Sequence, residues 1–413
     1  MKKLILVSSV LFLFTSNFAL SATEKNAKKE ISFMIPEWGV PTQKMLDEFY
    51  KETGIKVNVE TVAWDDLREK VSIAAVGKKA AADVMEVDFS SIGEYERAGW
   101  VEPINMSKAD IADIPSIASF IINGKVLGVP YANDFRIGYY NKNIYSKAGL
   151  KEPTTWDEVE KQMLTIKEKG LLKYPYTLPL NATEGTTTAF IWLTYLRDGK
   201  VFNDDNTLNK ENSIATLEFI NRVVKNKLVN PANLTSKDID TYRQLVSGQA
   251  AFMVGPTSFV ERSDNAEQSK VIGDIAVIVP PGKDSKAKQT MALTEAIGIS
   301  SLSKNKEEAQ KFVQWYTSKK MQFDLYKDMS VMPTRTEVLN SLIDSGDIRN
   351  AEKMKETSLL VKDPFPQGVP SYYAEMSKVF CNAVNKMASG NATPLETFNE
   401  MDSKLKEIIK NNK

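Results

Sequence analysis

The chain contains no histidine and a single cysteine, Cys381, in 413 residues. Without histidine there is no Ser-His or Cys-His nucleophile pair, and zinc loses its usual nitrogen ligand. One cysteine cannot form an internal disulfide, so stability must come from packing even in an oxidising compartment. Beyond the first residues no stretch approaches the ~20 consecutive apolar residues that a membrane-spanning helix needs. An excess of one charge is also missing: 53 basic and 53 acidic residues cancel. That balance removes the positive field which nucleic-acid or anionic-membrane binding usually requires. Carboxylate chemistry is the one common catalytic class these absences leave open, and no cofactor or metal ion is expected.

What is present begins with an export signal. Lys2 and Lys3 precede an apolar run from Leu4 to Phe14, and small residues at Ala19, Ser21 and Ala22 offer a cleavage site. Residues 1–22 therefore read as a secretory signal peptide, and the processed chain is expected to be soluble and periplasmic. No cysteine lies near the cleavage region to carry a lipid, so a lipoprotein is not expected. The remaining length divides naturally between two domains, because single cores rarely grow beyond ~250–300 residues.

From Ile31 the sequence alternates strand and helix. Ile31–Ile35 reads as a buried strand. Pro41 then opens a helix with Met45, Leu46, Phe49 and Tyr50 at helical spacing, and Gly54 closes it. Ile55–Val62 is a second strand; Asp65 is placed to cap a helix carrying Leu67, Val71 and Ala75. Asp83–Asp88 is a third strand, and Ser90–Ala98 a third helix. Such alternation predicts right-handed crossovers and a mostly parallel sheet, which binds ligands beyond the carboxyl ends of its strands. Those ends carry Glu37 and Trp38, Trp64 and Asp65, and Asp88 with Ser90.

The middle of the chain predicts a second α/β lobe. Thr186–Arg197, Ser213–Lys225 and Asp238–Ser247 have helical apolar spacing, while Tyr174–Leu180, Ala250–Val254 and Ile275–Val279 look like strands. The chain then returns to strand at Ala296–Ser301. Helices follow from Asn305 to Met329, from Glu337 to Asp344, and in two long segments ending at Lys413.

Several blocks, met in order, resemble the bacterial extracellular solute-binding proteins of family 1. They include Tyr50-x-x-x-x-Gly54-Ile55-x-Val57, Ala98-Gly99-Trp100-Val101-Glu102-Pro103, and Asn123-Gly124-Lys125-Val126-Leu127-Gly128-Val129-Pro130-Tyr131. Further on come Tyr139-Tyr140-Asn141-Lys142, Pro153-x-Thr155-Trp156-Asp157-Glu158, Gly248-Gln249-Ala250-Ala251-Phe252-Met253-x-Gly255-Pro256 and Met332-Pro333-Thr334-Arg335. The resemblance implies a two-lobed periplasmic-binding-protein fold. Each lobe would be a central, mostly parallel sheet flanked by helices, with hinge crossovers near Ala132–Arg136, Thr290–Ala296 and Val331–Thr336. The expected lobes are 30–134 with 292–333, and 135–291 with 334–413. A closing motion around the solute would be read by the transmembrane subunits of an ABC importer.

Sugars need paired donors and acceptors for hydroxyls and aromatic faces for their C–H groups. The strand ends supply that mixture in Glu37, Trp38, Trp64 and Asp88. The resemblance adds Asp134, Arg136, Gly255, Thr257 and Glu295, the last at a point where relatives commonly carry glycine and an aromatic residue. Trp192 is a further candidate. Each has a structural alternative: Trp64 as a staple on its own helix, Asp65 and Ser90 as caps, Asp134 with Arg136 as a hinge ion pair. Trp192 could equally be core, beside Phe190, Ile191, Leu193 and Leu196. The expected function is capture of a sugar or oligosaccharide by a monomer, without catalysis. The alternatives are a polyamine or another small polar solute, or a carboxylate glycoside hydrolase with Glu37, Asp88 and Glu295 as acid and base.

Overall fold

The computed structural model describes residues 29–412; the expected signal peptide lies outside them. No described helix is long and apolar enough to cross a membrane. Among the described residues eleven strands form around two lobes: β1 (Lys29–Ile35), β2 (Ile55–Thr61), β3 (Val84–Asp88), β4 (Val101–Glu102), β5 (Ile121–Ile122), β6 (Lys125–Val126), β7 (Val129–Ala132), β8 (Ile137–Asn141), β9 (Phe252–Gly255), β10 (Ile275–Ile278) and β11 (Glu295–Ser300).

The first lobe has the sheet order β2-β1-β3-β11-β4, with β7 also pairing to β11. β1 runs parallel to β2 and β3, as the alternation predicts, and β11 runs antiparallel to β3, β4 and β7. The helix Gln43–Thr53 starts where the Thr42 hydroxyl accepts from the Met45 N–H, and it ends at Gly54 with φ 70°. It buries Met45 and Phe49. Phe33 of β1 meets Phe312 and Tyr316 at 4.8 and 5.3 Å, so the helix Lys306–Tyr316 returns late in sequence to cover this sheet. The stretch predicted as one helix from Asn305 to Met329 is two, because Ser318 caps a new start at Lys319 by accepting from Met321 N–H.

The second lobe is corrected in one respect: its three-stranded sheet, β10-β8-β9, is antiparallel throughout. The reason lies in the hinge. β8 leaves the hinge at Ile137, whereas β9 and β10 both run back to it, so that Gly255 faces Ile137 and Ile278 faces Gly138. The strand predicted at Tyr174–Leu180 is reduced to isolated parallel bridges from Tyr176 to Val229 and Phe252. Pro175 and Pro179 lack the N–H groups a ladder needs. Long helices, Glu184–Asp198, Lys210–Lys225, Tyr373–Ala388 and Pro394–Asn411, cover this lobe.

Three chain crossings join the lobes side by side. Asn133 N–H donates to Met332 O at 2.8 Å, Leu293 N–H to Asp134 O at 2.6 Å, and Arg136 N–H to Met291 O at 3.1 Å. Arg335 fixes the third crossing to the first lobe. Its buried guanidinium reaches Asp113 at 3.0 Å, Asp110 at 2.8 Å and the Thr317 carbonyl at 2.6 Å.

Candidate functional site

The register of the first sheet sets the floor of a cleft. Glu295 opens β11 directly opposite Asp88, the last residue of β3, and beside Ala132, the last residue of β7. β1 and β2 end at the same edge, so the turns after them project Trp38 and Trp64 over these carboxylates. Trp38 sits in the short helical turn Glu37–Gly39. That turn presses close because Gly39 has no side chain: a Cβ there would fall 2.5 Å from Ile35 Cδ1 and 2.9 Å from the Tyr131 hydroxyl.

Each tryptophan is oriented by a carboxylate. Trp38 Nε1 donates to Glu295 Oε2 at 2.7 Å, and Tyr131 Oη donates to the same oxygen at 3.1 Å. Trp64 Nε1 donates to Asp88 Oδ2 at 2.9 Å. Asp88 Oδ1 accepts from Ser90 N and Oγ and from Ser91 N at 2.8–3.0 Å, so Asp88 is both the cap of the following turn and the anchor of a ring. Both indoles therefore keep their ring faces available to the cleft while their polar edges are satisfied.

The opposite wall comes from the hinge and the second lobe. Arg136 donates to Asp134 Oδ2 at 2.7 Å and lies over the Tyr242 ring at 5.8 Å. Asp134 Oδ1 accepts from Thr257 N–H at 3.1 Å, and the Thr257 hydroxyl donates to Asn133 O at 3.0 Å. Trp38, Trp64, Asp88, Asp134, Arg136, Thr257 and Glu295 thus line one cleft. On the far side of Trp64 and Asp88 the groove widens into a second compartment beside Arg68, Glu86, Glu184 and Tyr373.

Three of the expected contacts lie elsewhere. Trp192 is 0 % exposed and packs against Trp156 at 6.3 Å in the second lobe's core, so its place at the cleft is corrected in favour of the apolar run around it. Gly255 is buried at the end of β9, and the chain reaches the cleft only at the next residues, Pro256 and Thr257. Glu37 points away to the rim, where it pairs with Arg243 of the second lobe at 2.5 Å. Asp65 is not a cap: the helix begins a residue earlier, at Trp64, with Ala63 at the cap position. Sequence reasoning missed Asp238, Tyr242 and Arg262, which line the cleft from the second lobe. Asp238 and Tyr242 stand one helical turn apart at the start of Asp238–Val246, a spacing shared with ordinary surface helices.

Burial shapes the site's protonation. Loss of water, with Asp134 nearby, pushes the Glu295 carboxyl up to about 8, although Trp38 and Tyr131 donate to it. Near neutral pH it can therefore hold a proton on Oε1 and donate it, or accept there. Burial likewise raises Glu184 to about 8 against donation from Ser377 and Tyr373. Among the described residues no group of three or more acidic or sulfur side chains has metal-site geometry. The arrangement suits neutral hydroxyls, which both give and take hydrogen bonds, lying between ring faces.

A family profile described as bacterial extracellular solute-binding protein matches residues 35–323. The chain is 23 % identical over 393 residues to a protein of Brucella abortus (strain 2308) named as a binding protein, a match covering 92 % of this chain and 93 % of that one. Among solved structures it is similar to a solute-binding protein of Agrobacterium radiobacter K84 in complex with ribitol. That match has a TM-score of 0.83 and 19 % identity, and covers 92 % of this chain and 98 % of the other. It is also similar to a maltose-bound protein of T. maritima, with a TM-score of 0.78 and 20 % identity over 92 % and 99 % of the two chains. At these identities the structural likenesses establish the fold.

Proposed function

The chain belongs to the bacterial extracellular solute-binding proteins, and from that premise we propose that it captures a small polyhydroxylated solute, a sugar or polyol, and delivers it to the membrane subunits of an ABC importer. The observation that carries this reading is the pairing of each cleft tryptophan with a strand-end carboxylate, Trp38 with Glu295 and Trp64 with Asp88. Indole faces held at fixed angles suit the C–H faces of a sugar or polyol, and the remaining carboxylate oxygens suit its hydroxyls. The ribitol and maltose bound by the two structural neighbours belong to this class.

The ligand set of this reading is Trp38, Trp64, Asp88, Asp134, Arg136, Thr257 and Glu295, joined by Tyr242 and Arg262. The lobes are 30–134 with 292–333, and 135–291 with 334–413. Residues 1–22 act as the export signal, and the mature chain works in the periplasm as a monomer without catalysis or nucleic-acid binding. Glu295, Asp88 and Asp134 are each committed to orienting a neighbour, which favours holding a solute over proton transfer to a glycosidic bond.

A thermal-shift screen of the mature protein against ribitol, mannitol, glucose, maltose and longer oligosaccharides tests this. At least one should raise Tm by several degrees at concentrations far above Kd, since ligand at 100 Kd contributes about 2.7 kcal/mol. A flat response to every member, or steady release of products from labelled oligosaccharides, would overturn the proposal.

A further inference from the structure

A cation in the cleft is left without a counter-charge. Arg262 ends the short helix Phe259–Arg262 of the second lobe and lines the cleft together with Trp38, Thr257, Ser258 and Glu295. It is 7 % exposed, and its Nε is shut off from water with no hydrogen-bond partner. Among the described residues its guanidinium makes no hydrogen bond and no ion pair; it rests on the face of Phe259, whose ring centre lies 5.4 Å away. A buried charge is costly unless it is paired and hydrogen-bonded. Stacking on a ring leaves the N–H donors in the guanidinium plane free.

The other charges of the cleft are answered within the chain. Arg136 is bound to Asp134 at 2.7 Å, and Arg243 is shared between Glu37 and Asp240 at the rim. Asp88 accepts from Trp64, Ser90 and Ser91. Burial raises Glu295 to about 8 and lifts Asp238 as well, so near neutral pH both hold protons. Burial and the like charge of Arg243 pull Arg262 below its ordinary value, and Glu37, Glu295 and Asp134 oppose this only through space. A second free group stands beside it. The Arg262 N–H donates to the Ser258 carbonyl at 3.3 Å, so the two side chains lie one turn apart on one helix face. The Ser258 hydroxyl borders the cleft and, among the described residues, has no partner. Arg136 Nε, also buried and unpartnered, is a further donor in the same cleft.

We propose that Arg262, with Ser258, holds a carboxylate of the solute, so that the preferred ligand is an acidic sugar or polyol, a uronic or aldonic acid. This rests on the solute-binding reading above and adds to it a charge on the solute. A planar carboxylate meets the planar guanidinium through two parallel N–H···O bonds, and the Phe259 ring keeps that fork in place. One negative charge balances the one unanswered cation, whereas a phosphate brings excess charge toward Asp88 and Asp134. Hydroxyls elsewhere on the solute still meet Glu295, Asp88 and the hinge, and its C–H faces meet the indoles. A neutral sugar fills the same space but leaves the guanidinium without a counter-charge.

The test uses probes that differ at one carbon, hydroxymethyl against carboxylate: D-glucose against D-glucuronate, D-galactose against D-galacturonate, and D-glucitol against D-gluconate. Binding to the mature protein is measured by calorimetry at pH 7, with D-glucose 6-phosphate as a further probe. At least one acid should bind about tenfold or more tightly than its neutral partner and than the phosphate. In Arg262→Gln that preference should fall to within about twofold, and Arg262→Lys, which keeps the charge without the fork, should retain part of it. Ligand-free Arg262→Gln should unfold at or above the wild-type Tm, because it loses a buried charge that nothing in the chain pairs. A clear drop would make the arginine a structural residue and overturn the site. Neutral members binding as well as the acids, the phosphate binding tightest, or a preference unchanged in Arg262→Gln would overturn it too, while leaving the solute-binding reading standing. Failure of every acid to bind up to millimolar concentration would likewise overturn it. The solute-binding reading falls with it only if the neutral sugars and polyols of the thermal-shift screen fail as well.

Discussion

Glu295 shows how one side chain serves both structure and chemistry. It begins β11, orients Trp38 and pairs with Tyr131, all in a water-poor setting that lifts its carboxyl to about 8. Because the folded value lies above the ordinary 4.5, the folded chain keeps a proton that the unfolded chain has released. Its contribution to stability is therefore full below the unfolded value and is lost as pH rises through the folded one. Glu295→Gln should remove this part of the slope, so that Tm falls less between pH 5 and 8 than in wild type, by roughly a few degrees. Identical Tm-versus-pH curves would contradict the assignment. Glu184, raised to the same range, titrates in both proteins and cancels in the comparison. Much of this was legible from residue type and position. Carboxylates and indoles at strand ends marked Trp38, Trp64 and Asp88, whereas Glu295 was marked only through the family resemblance. Trp192 was misplaced because a tryptophan in an apolar helix has the same local pattern whether it faces core or cleft. Asp238 escaped notice because a first-turn aspartate is an ordinary helix feature, and only its place in the cleft makes it unusual.

At the scale of elements, the first lobe follows its sequence alternation closely, since each apolar strand is followed by a helix with its own cap and stop. The second lobe departs from the parallel expectation because periodicity carries no information about strand direction, which here is set by where the chain enters and leaves the hinge. The three crossings were visible only through family resemblance; their mutual hydrogen bonds between Asn133 and Met332, and between Asp134 and Leu293, are contacts between distant segments. Arg335 is the bolt of the third crossing, with Asp113 buried against it. Arg335→Ala leaves that carboxylate without its cation, a change that typically costs about 3–5 kcal/mol. Its denaturation midpoint in urea should drop clearly below wild type. A midpoint within error of wild type would mean the crossing is held by its backbone bonds alone.

For the whole molecule, three chain crossings join the lobes, and the proposed function has the lobes approach and separate about them. The pairs that bridge the rim, Glu37 with Arg243 and Asp66 with Lys237, are exposed and weak, so they steer the lobes' meeting more than they hold it. On the proposed function, holding would fall to the solute, whose contacts with rings and carboxylates from both sides would favour the closed arrangement. The most direct test of that claim is calorimetric titration of wild type and Trp38→Ala with whichever sugar, polyol or sugar acid raises Tm most. The account predicts saturable binding of one solute per chain, weakened about tenfold or more in the variant. Equal affinity in the two proteins would place the solute outside this cleft and contradict the account.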